Sequence, residues 1–480
     1  PAELSGADPF SGTGSKWSIC AYGCFRSAFR GKIKKMDLLL KGGILYDPIN
    51  GWEGPAEVLI RGGRIGVVSL SLGPTDVPFL DLQGKIILPG MVDMHVHLRE
   101  PGYEGKETIA TGCAAAVAGG VTAVACMPNT DPPADNKEII CYIKERARQA
   151  DLARVYPIGA ITRKSEGEEI APMWEMAQEG ARGFSDDGNP VSDSGVMLRA
   201  MQYALNLGLP VISHCEDLSL AAGGVVHAGG HGYRLGLPVI TSASEAVMAA
   251  REILLQKEVK GKLHLAHLSA KESVELLRWA KSAGISVTAE VTPHHLLLTE
   301  EAVGDFNTDA KMNPPLRTSA DKEALQKALA EGVIGIIATD HAPHRLQEKE
   351  EDFLSAPFGV IGLETAFPLL WTKLVEEGLL SPGELVDRFS SAPARLLGIP
   401  GGSLEPGSPA DLVVIDPYTE HTVSSERFYS LGRNTPFEGW RLKGYPVMTM
   451  VDGDIKMWQG KVKGFSKEFP AIKRILQTKE

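Results

Sequence analysis

Between residues 89 and 400 the chain alternates short apolar runs with helix-period segments, and this alternation constrains its fold more than any other feature. Val121–Met127 precedes a helical pattern at Lys137–Ala150, Val155–Ile161 precedes Ala171–Glu179, and Ser194–Gly208 leads into Pro210–His214. The pattern runs on through 242–257, Lys262–Leu268, 271–283, Ile285–Val291, 320–331 and Ile334–Asp340. Apolar strands joined by helical crossovers predict a parallel sheet covered on its outside. Units repeated over this length predict an α/β fold, a (β/α)8 TIM-type barrel. A doubly wound open sheet is the alternative, but no G-x-G-x-x-G follows the first strand.

Both flanks differ from this middle. Residues 36–88 hold short strand-like runs, Leu38–Leu40, Ala56–Arg61, Arg64–Leu70 and Phe79–Leu82, separated by Gly-Gly, Asp-Pro and Gly-Pro turns. Residues 401–465 return to the same texture in Ala410–Asp416 and Val447–Gly453. The two flanks predict a small β-sandwich domain formed by both chain ends around a barrel at 89–400, with 466–480 a C-terminal tail. Residues 1–35 show no sustained period and no apolar core of a secretory signal. They read as an extension, disordered or non-native, whose basic cluster Arg26, Arg30, Lys32, Lys34 and Lys35 precedes a candidate start at Met36. Organelle targeting is the alternative for this stretch.

Composition narrows the class. Of 480 residues 43% are hydrophobic and 23% charged, enough to bury a large core, and the formal net charge of −11 argues against a nucleic-acid partner. No apolar run reaches membrane-spanning length. Cys20, Cys24, Cys113, Cys126, Cys141 and Cys215 are too sparse for a disulfide framework and read as reduced thiols in a cytoplasmic protein.

In a parallel barrel, chemistry sits at the C-terminal ends of the strands. The run Lys85–Val92 reads as a buried strand leading into Asp93-Met94-His95-Val96-His97-Leu98-Arg99-Glu100. Residues two apart on a strand share a face, so His95 and His97 pair as candidate metal ligands. Other strand candidates end in Gly183-Phe184-Ser185-Asp186-Asp187-Gly188, in Ser213-His214, in His264-Leu265-Ala266-His267 and in Ala338-Thr339-Asp340-His341-Ala342-Pro343-His344. A lone histidine is more often a satisfied core residue; five strand ends carrying nitrogen and oxygen donors point to a metal site. Imidazoles and carboxylates without thiolates fit zinc first, then manganese or iron, and are numerous enough for two ions. Such a site implies hydrolysis, or its reversal, at a C–N or phosphoester centre. Arg99, two beyond His97, shares their face if the strand continues, and suits a substrate carboxylate.

The set HxH, carboxylate, His, His and Asp on successive strands resembles the amidohydrolase superfamily. The segments Asp93–Gly102 (DMHVHLREPG), Cys126–Pro132 (CMPNTDP), Gly183–Gly188 (GFSDDG), Ala289–His295 (AEVTPHH), Lys311–Arg317 (KMNPPLR), Ala338–His344 (ATDHAPH) and Ala356–Gly359 (APFG) narrow the resemblance to bacterial dihydroorotases of the longer class. The match runs from about Met36 to about Lys463. It implies that His95, His97 and Asp340 bind one zinc ion, that His214 and His267 bind a second, and that Asp187 bridges them, Asp186 being the lesser candidate. Superfamily members that bridge with a carbamylated lysine have a longer ligand there, so the occupancy of the second site stays open. The resemblance further implies that Arg99, Asn129 and His344 share the substrate carboxylate. Asn313 and the backbone of Pro357, Phe358 and Gly359 contact the pyrimidine ring. His341, His294 and His295 are expected in supporting or structural roles, and His227, His231 and His421 in none.

The reaction so implied is the reversible cyclisation of N-carbamoyl-L-aspartate to L-dihydroorotate and water in pyrimidine (UMP) biosynthesis. Metal-bound hydroxide is the nucleophile and Asp340 the general acid and base. A homodimer is expected, and an association with aspartate carbamoyltransferase is left open. The rivals are another cyclic amidohydrolase, an allantoinase or hydantoinase, whose bridging lysine this chain lacks, and a non-catalytic scaffold, which would have shed ligands. The charge-dense run Arg345–Asp352 reads as a mobile, solvated loop at the mouth of the site, or as a plain connector.

Overall fold

The computed structural model of this chain describes residues 37–471 and 475. The extension 1–35 with its basic cluster, Met36, Cys20 and Cys24 lie outside the described residues. Three strands, Met91–Val96, Val121–Cys126 and Arg154–Pro157, pair in parallel in sequence order. Four more, Val211–Ser213, Leu263–Leu265, Val287–Val291 and Ile336–Ile337, form a second parallel run. Phe184 bridges the two, pairing with Gly159 on one side and Val211 on the other, and Val96 pairs with His341 to join the last strand to the first. With the Phe184 segment inserted between three strands and four, a ring of eight parallel segments closes.

Side-chain size follows from that closure. Ala123, Ala125, Ala266 and Ala338 share one buried cluster with Val92, Met94, Ile158, Ile212 and Ile336. An eight-stranded barrel leaves an interior only wide enough for such a filling. Helix Ala392–Leu397 contributes Ala394 and Leu397 to the same cluster. A larger cluster takes the opposite faces of these strands, Val124, Cys126 and Leu265 among them, against the surrounding helices.

The chain ends build a nine-stranded sheet. Its order is Lys461–Val462, Asp454–Trp458, Tyr445–Val451, Leu412–Asp416, Ile86–Pro89, Leu38–Asp47, Trp52–Arg61 and Arg64–Ser69, with Phe79–Asp81 also beside Leu38–Asp47. The apolar run Lys85–Val92, read as one strand, divides at Gly90. Ile86–Pro89 pairs antiparallel with Leu412–Asp416 in this sheet, while Met91–Val96 opens the barrel. A Cβ on residue 90 would lie 2.2 Å from the Thr122 side chain, so only glycine lets the strand pass from one unit to the other. Cys113, Cys126 and Cys215 are free, buried thiols. No helix among the described residues is long and apolar enough to cross a membrane.

Arg154 ties barrel to sheet. Its guanidinium donates to both carboxylate oxygens of Asp411 at 2.8 and 3.2 Å and to Asp452 at 2.7 Å. Asp411 is almost fully buried, so removing its partner strands a charge. Arg154→Met is expected to lower stability by about 2–3 kcal/mol, against less than about 1 kcal/mol for Asp452→Asn at the exposed arm, measured by urea unfolding.

Candidate metal centre and active site

Six chemistry-bearing side chains meet at the C-terminal mouth of the barrel. Asp187, just past the inserted Phe184 segment, is their hub. Its Oδ1 lies 3.4 Å from His95 Nε2, 3.5 Å from His214 Nδ1 and 3.6 Å from His267 Nε2, and its Oδ2 lies 3.5 Å from His97 Nε2. Asp340 adds a second carboxylate, its Oδ1 at 3.0 Å from His97 Nε2 and 3.8 Å from His95 Nε2. Donor atoms converge within 4.8 Å in two groups, His95–His97–Asp340 and His95–Asp187–His267. His214 belongs to neither group, but its Nδ1 is 3.1 Å from His267 Nε2. Asp186 faces away, accepting hydrogen bonds from the backbone of Ile161 and Thr162 and from the Thr162 hydroxyl. All six clustered side chains are buried.

Electrostatics keeps the carboxylates ionised. Burial alone would raise the Asp187 carboxyl, yet His95, His214 and His267 hold it well below the usual range. Asp340 behaves alike, burial being outweighed by the His97 hydrogen bond and by the charges of His95, His97 and His267. His95 Nε2, Asp187 Oδ1 and His267 Nδ1 are buried with no hydrogen-bond partner. Orphaned buried donors and acceptors are costly, and a divalent cation among them would satisfy lone pairs that the protein leaves unused. The set has the nitrogen and oxygen donors of a first-row metal site.

The backbone is strained at this mouth. His267 and Asp340 adopt φ of 28° and 49°, a region that residues with a Cβ enter only when the surroundings hold them there. Arg99 has φ of 61°, and the strand ends at Val96. The expectation that Arg99 alternates onto the face of His95 and His97 therefore fails as geometry, because the chain has already turned. The turn still brings Arg99 to the site. Its Nε donates to the Pro343 carbonyl at 3.3 Å and its Nη2 lies 3.4 Å from His344 Nε2.

The remaining expected residues are placed as follows. Asn129 Oδ1 accepts from His97 Nδ1 at 2.8 Å, fixing that ring with Nε2 toward the carboxylates. Asn313 Nδ2 donates to Glu216 Oε2 at 3.1 Å, and the same oxygen is 3.3 Å from His214 Nε2. The backbone of Pro357, Phe358 and Gly359 is largely engaged within the protein. Pro357 and Gly359 carbonyls accept from Lys349 Nζ at 3.0 and 3.2 Å, the Phe358 carbonyl from His344 Nε2 at 2.8 Å, and Gly359 N–H donates to Lys311 O at 2.9 Å. The run Arg345–Asp352 forms a helical turn at Leu346–Lys349 and is mostly exposed, as a solvated segment should be, but Lys349 is buried. Lys311 Nζ braces the following residues through the carbonyls of Phe353, Leu354 and Ala356. His227, expected to have no role, is buried and accepts from Arg317 Nη1 at 3.2 Å, beside the Arg317–Glu245 ion pair.

Glu290 was not singled out from the sequence. Its carboxylate takes His95 Nδ1 at 2.7 Å and His264 Nε2 at 3.1 Å. Burial would raise it, but the charges and hydrogen bonds of His95 and His264 hold its pKa down at about 2. By accepting from Nδ1 it directs His95 Nε2 to the cluster. The signal was a glutamate between Ala289 and Val291 in the strand Val287–Val291, because a buried charge needs a partner.

Comparison with known proteins agrees with this geometry. Residues 84–273 match the family model described as dihydro-orotase-like. The dihydroorotase of Pelotomaculum thermopropionicum is 51% identical over 88% of this chain and 99% of its own length, and that of Syntrophus aciditrophicus 48% over the same shares. The chain belongs to the dihydroorotase family. Among solved structures, the L-hydantoinase (dihydropyrimidinase) from Arthrobacter aurescens superposes with a TM-score of 0.81 at 27% identity, covering 89% of this chain and 97% of that one. The fold is accordingly the TIM-type barrel with a small β-sandwich domain, as the sequence pattern predicts, and the chemistry is that of a cyclic amide hydrolase.

The metal prediction concerns Glu290. Glu290→Gln keeps the shape but loses the charge that orients His95, and metal affinity is expected to fall about 10–100-fold, read by competition against a chromogenic chelator. Unchanged affinity would remove Glu290 from the metal site.

Proposed function

We propose that the protein is a zinc-dependent dihydroorotase that interconverts N-carbamoyl-L-aspartate and L-dihydroorotate in pyrimidine biosynthesis. One observation supports it above the others. The buried carboxylate–imidazole cluster that suits a metal opens beside Arg99 and His344, donors suited to a carboxylate, and dihydroorotate carries a cyclic amide and a carboxylate on one ring. His95, His97 and Asp340 would hold one ion, and Asp187, His214 and His267 a second; the orphaned His95 Nε2 and Asp187 Oδ1 favour this assignment. When bound, zinc supplies Lewis acidity at the amide carbonyl and lowers the pKa of water.

The chain's own residues do the rest. Arg99, with Asn129 Nδ2 and His344, grips the substrate carboxylate and so fixes which carbonyl faces the cluster. The Phe358 N–H and the Asn313 side chain offer the ring oriented hydrogen bonds. Asp340, ionised under the surrounding imidazoles, accepts a proton from the attacking water at a carboxylate oxygen and returns it to the leaving amide nitrogen. In the reverse direction it takes that proton from the ureido nitrogen as the C–N bond forms and delivers it to the carboxyl oxygen that departs as water. Residues 36–88 and 401–465 act as a composite β domain buttressing the barrel at 89–400, in a cytoplasmic homodimer that is open to association with aspartate carbamoyltransferase.

Zinc-loaded protein is expected to hydrolyse dihydroorotate, followed spectrophotometrically, and to leave hydantoin and allantoin essentially untouched. Preference for either of those two rings would assign it to the hydantoinase-like chemistry of its structural neighbour. Asp340→Ala is expected to abolish turnover, on the order of a 10³-fold loss or more, while Arg99→Ala raises KM far more than it lowers kcat. Exhaustive chelation is expected to abolish turnover and added zinc to restore it.

A further inference from the structure

One cation beside the carboxylate site has no task in the reading above. Lys106 leaves the loop between strand Met91–Val96 and helix Ile109–Ala118, and its Nζ lies 3.2 Å from His344 Nδ1 and 3.2 Å from Glu348 Oε1. The opposite edge of that imidazole reveals its tautomer. His344 Nε2 lies 2.8 Å from the Phe358 carbonyl oxygen, which can only accept, so Nε2 carries the hydrogen. A lysine ammonium can only donate, so Nδ1 is the lone pair that receives it. The ring is neutral, and burial together with the charges of Arg99, Lys106 and Lys349 keeps it so, pushing its pKa down to about 2.

This fixes what His344 can offer. Its Nε2–H and the Arg99 Nη2 both donate, yet they lie 3.4 Å apart. Two donors at that distance do not bond each other; a carboxylate seated on Arg99 would lie within reach of the Nε2–H, which it would share with the Phe358 carbonyl. With the proton on Nδ1 instead, Nε2 would set a lone pair against the Phe358 carbonyl and repel an anion. Glu348, the carboxylate on the neighbouring helical turn, also meets Lys106, and its Oε2 accepts from Arg345 N at 3.0 Å.

We propose that Lys106 is a positioning residue for substrate: by donating to His344 Nδ1 it holds His344 as the Nε2–H tautomer and so completes, with Arg99, a two-donor seat for the substrate carboxylate. This rests on the reading of Arg99 and His344 as the carboxylate site. The bland competitor is that Lys106 merely tethers the turn Leu346–Lys349 through Glu348.

Steady-state kinetics on full-length, zinc-loaded protein with dihydroorotate separates the two. Lys106→Met is expected to raise KM about tenfold or more while kcat stays within about threefold, the loss of one charged hydrogen-bonding group acting in binding. Lys106→Arg keeps charge and donor and is expected to recover most of the affinity. Glu348→Gln, which cuts the tether but leaves the lysine, is expected to keep KM within about twofold of the parent. A wild-type KM in Lys106→Met overturns the proposal, as does Glu348→Gln reproducing the Lys106→Met loss. Thermal unfolding by circular dichroism checks that Lys106→Met is folded; where it is not, Lys106→Ala, which likewise removes charge and donor, is read against the same two outcomes. A parent protein that leaves dihydroorotate unconverted brings down the substrate reading and this proposal together, whereas an active parent with an unaffected Lys106→Met brings down this proposal alone.

Discussion

A single carboxylate, Asp187, sets among four imidazoles, and the mouth of the barrel is arranged around it. An ionised carboxylate and several imidazoles inside a protein are each expensive; together they neutralise one another enough to stay, and a metal would complete the exchange. The rest of the fold serves that arrangement. Five of the eight parallel segments end in a side chain of the cluster, an alanine-rich interior lets the ring close, and left-handed backbone at His267 and Asp340 turns side chains inward. Strain there is held by barrel closure, since the residue after Asp340 is the one that pairs with Val96.

A layer of partners surrounds the cluster and gives each ring a direction. Glu290 orients His95, Asn129 orients His97, and Glu216 links His214 to Asn313. On the carboxylate side, Lys106 does for His344 what Glu290 does for His95, by donating rather than accepting. On the proposed function, binding and chemistry are thus coupled through shared hydrogen bonds. Asn129 touches a ring of the cluster and, as proposed, the substrate; Asn313 stands between the ring site and a carboxylate bonded to His214.

Much of this was legible in the sequence, for definite reasons. A parallel barrel puts strand ends on one face, so His95, His97, His214, His267 and Asp340 could be gathered from strand endings, while the choice of Asp187 over Asp186 came from the family resemblance. What the sequence hid were side chains whose roles depend on tertiary neighbours. Arg99 reaches the site through a left-handed turn, not by strand alternation, and no period in the sequence encodes that. Lys349 sits in a run of charges that reads as solvated, yet it is buried against backbone carbonyls, which leave no compositional trace. Gly90 splits one apolar run between two sheets because a side chain there would strike Thr122, a contact between residues that only the folded chain brings together.

The central claim is that the Asp187 cluster is a metal centre. Anomalous diffraction from zinc-loaded crystals, collected on both sides of the zinc absorption edge, tests it most directly. The account predicts anomalous density among His95, His97 and Asp340, and a second peak, full or partial, among Asp187, His214 and His267. Density that follows the zinc edge nowhere near Asp187, with ordered water occupying the cluster, would contradict it.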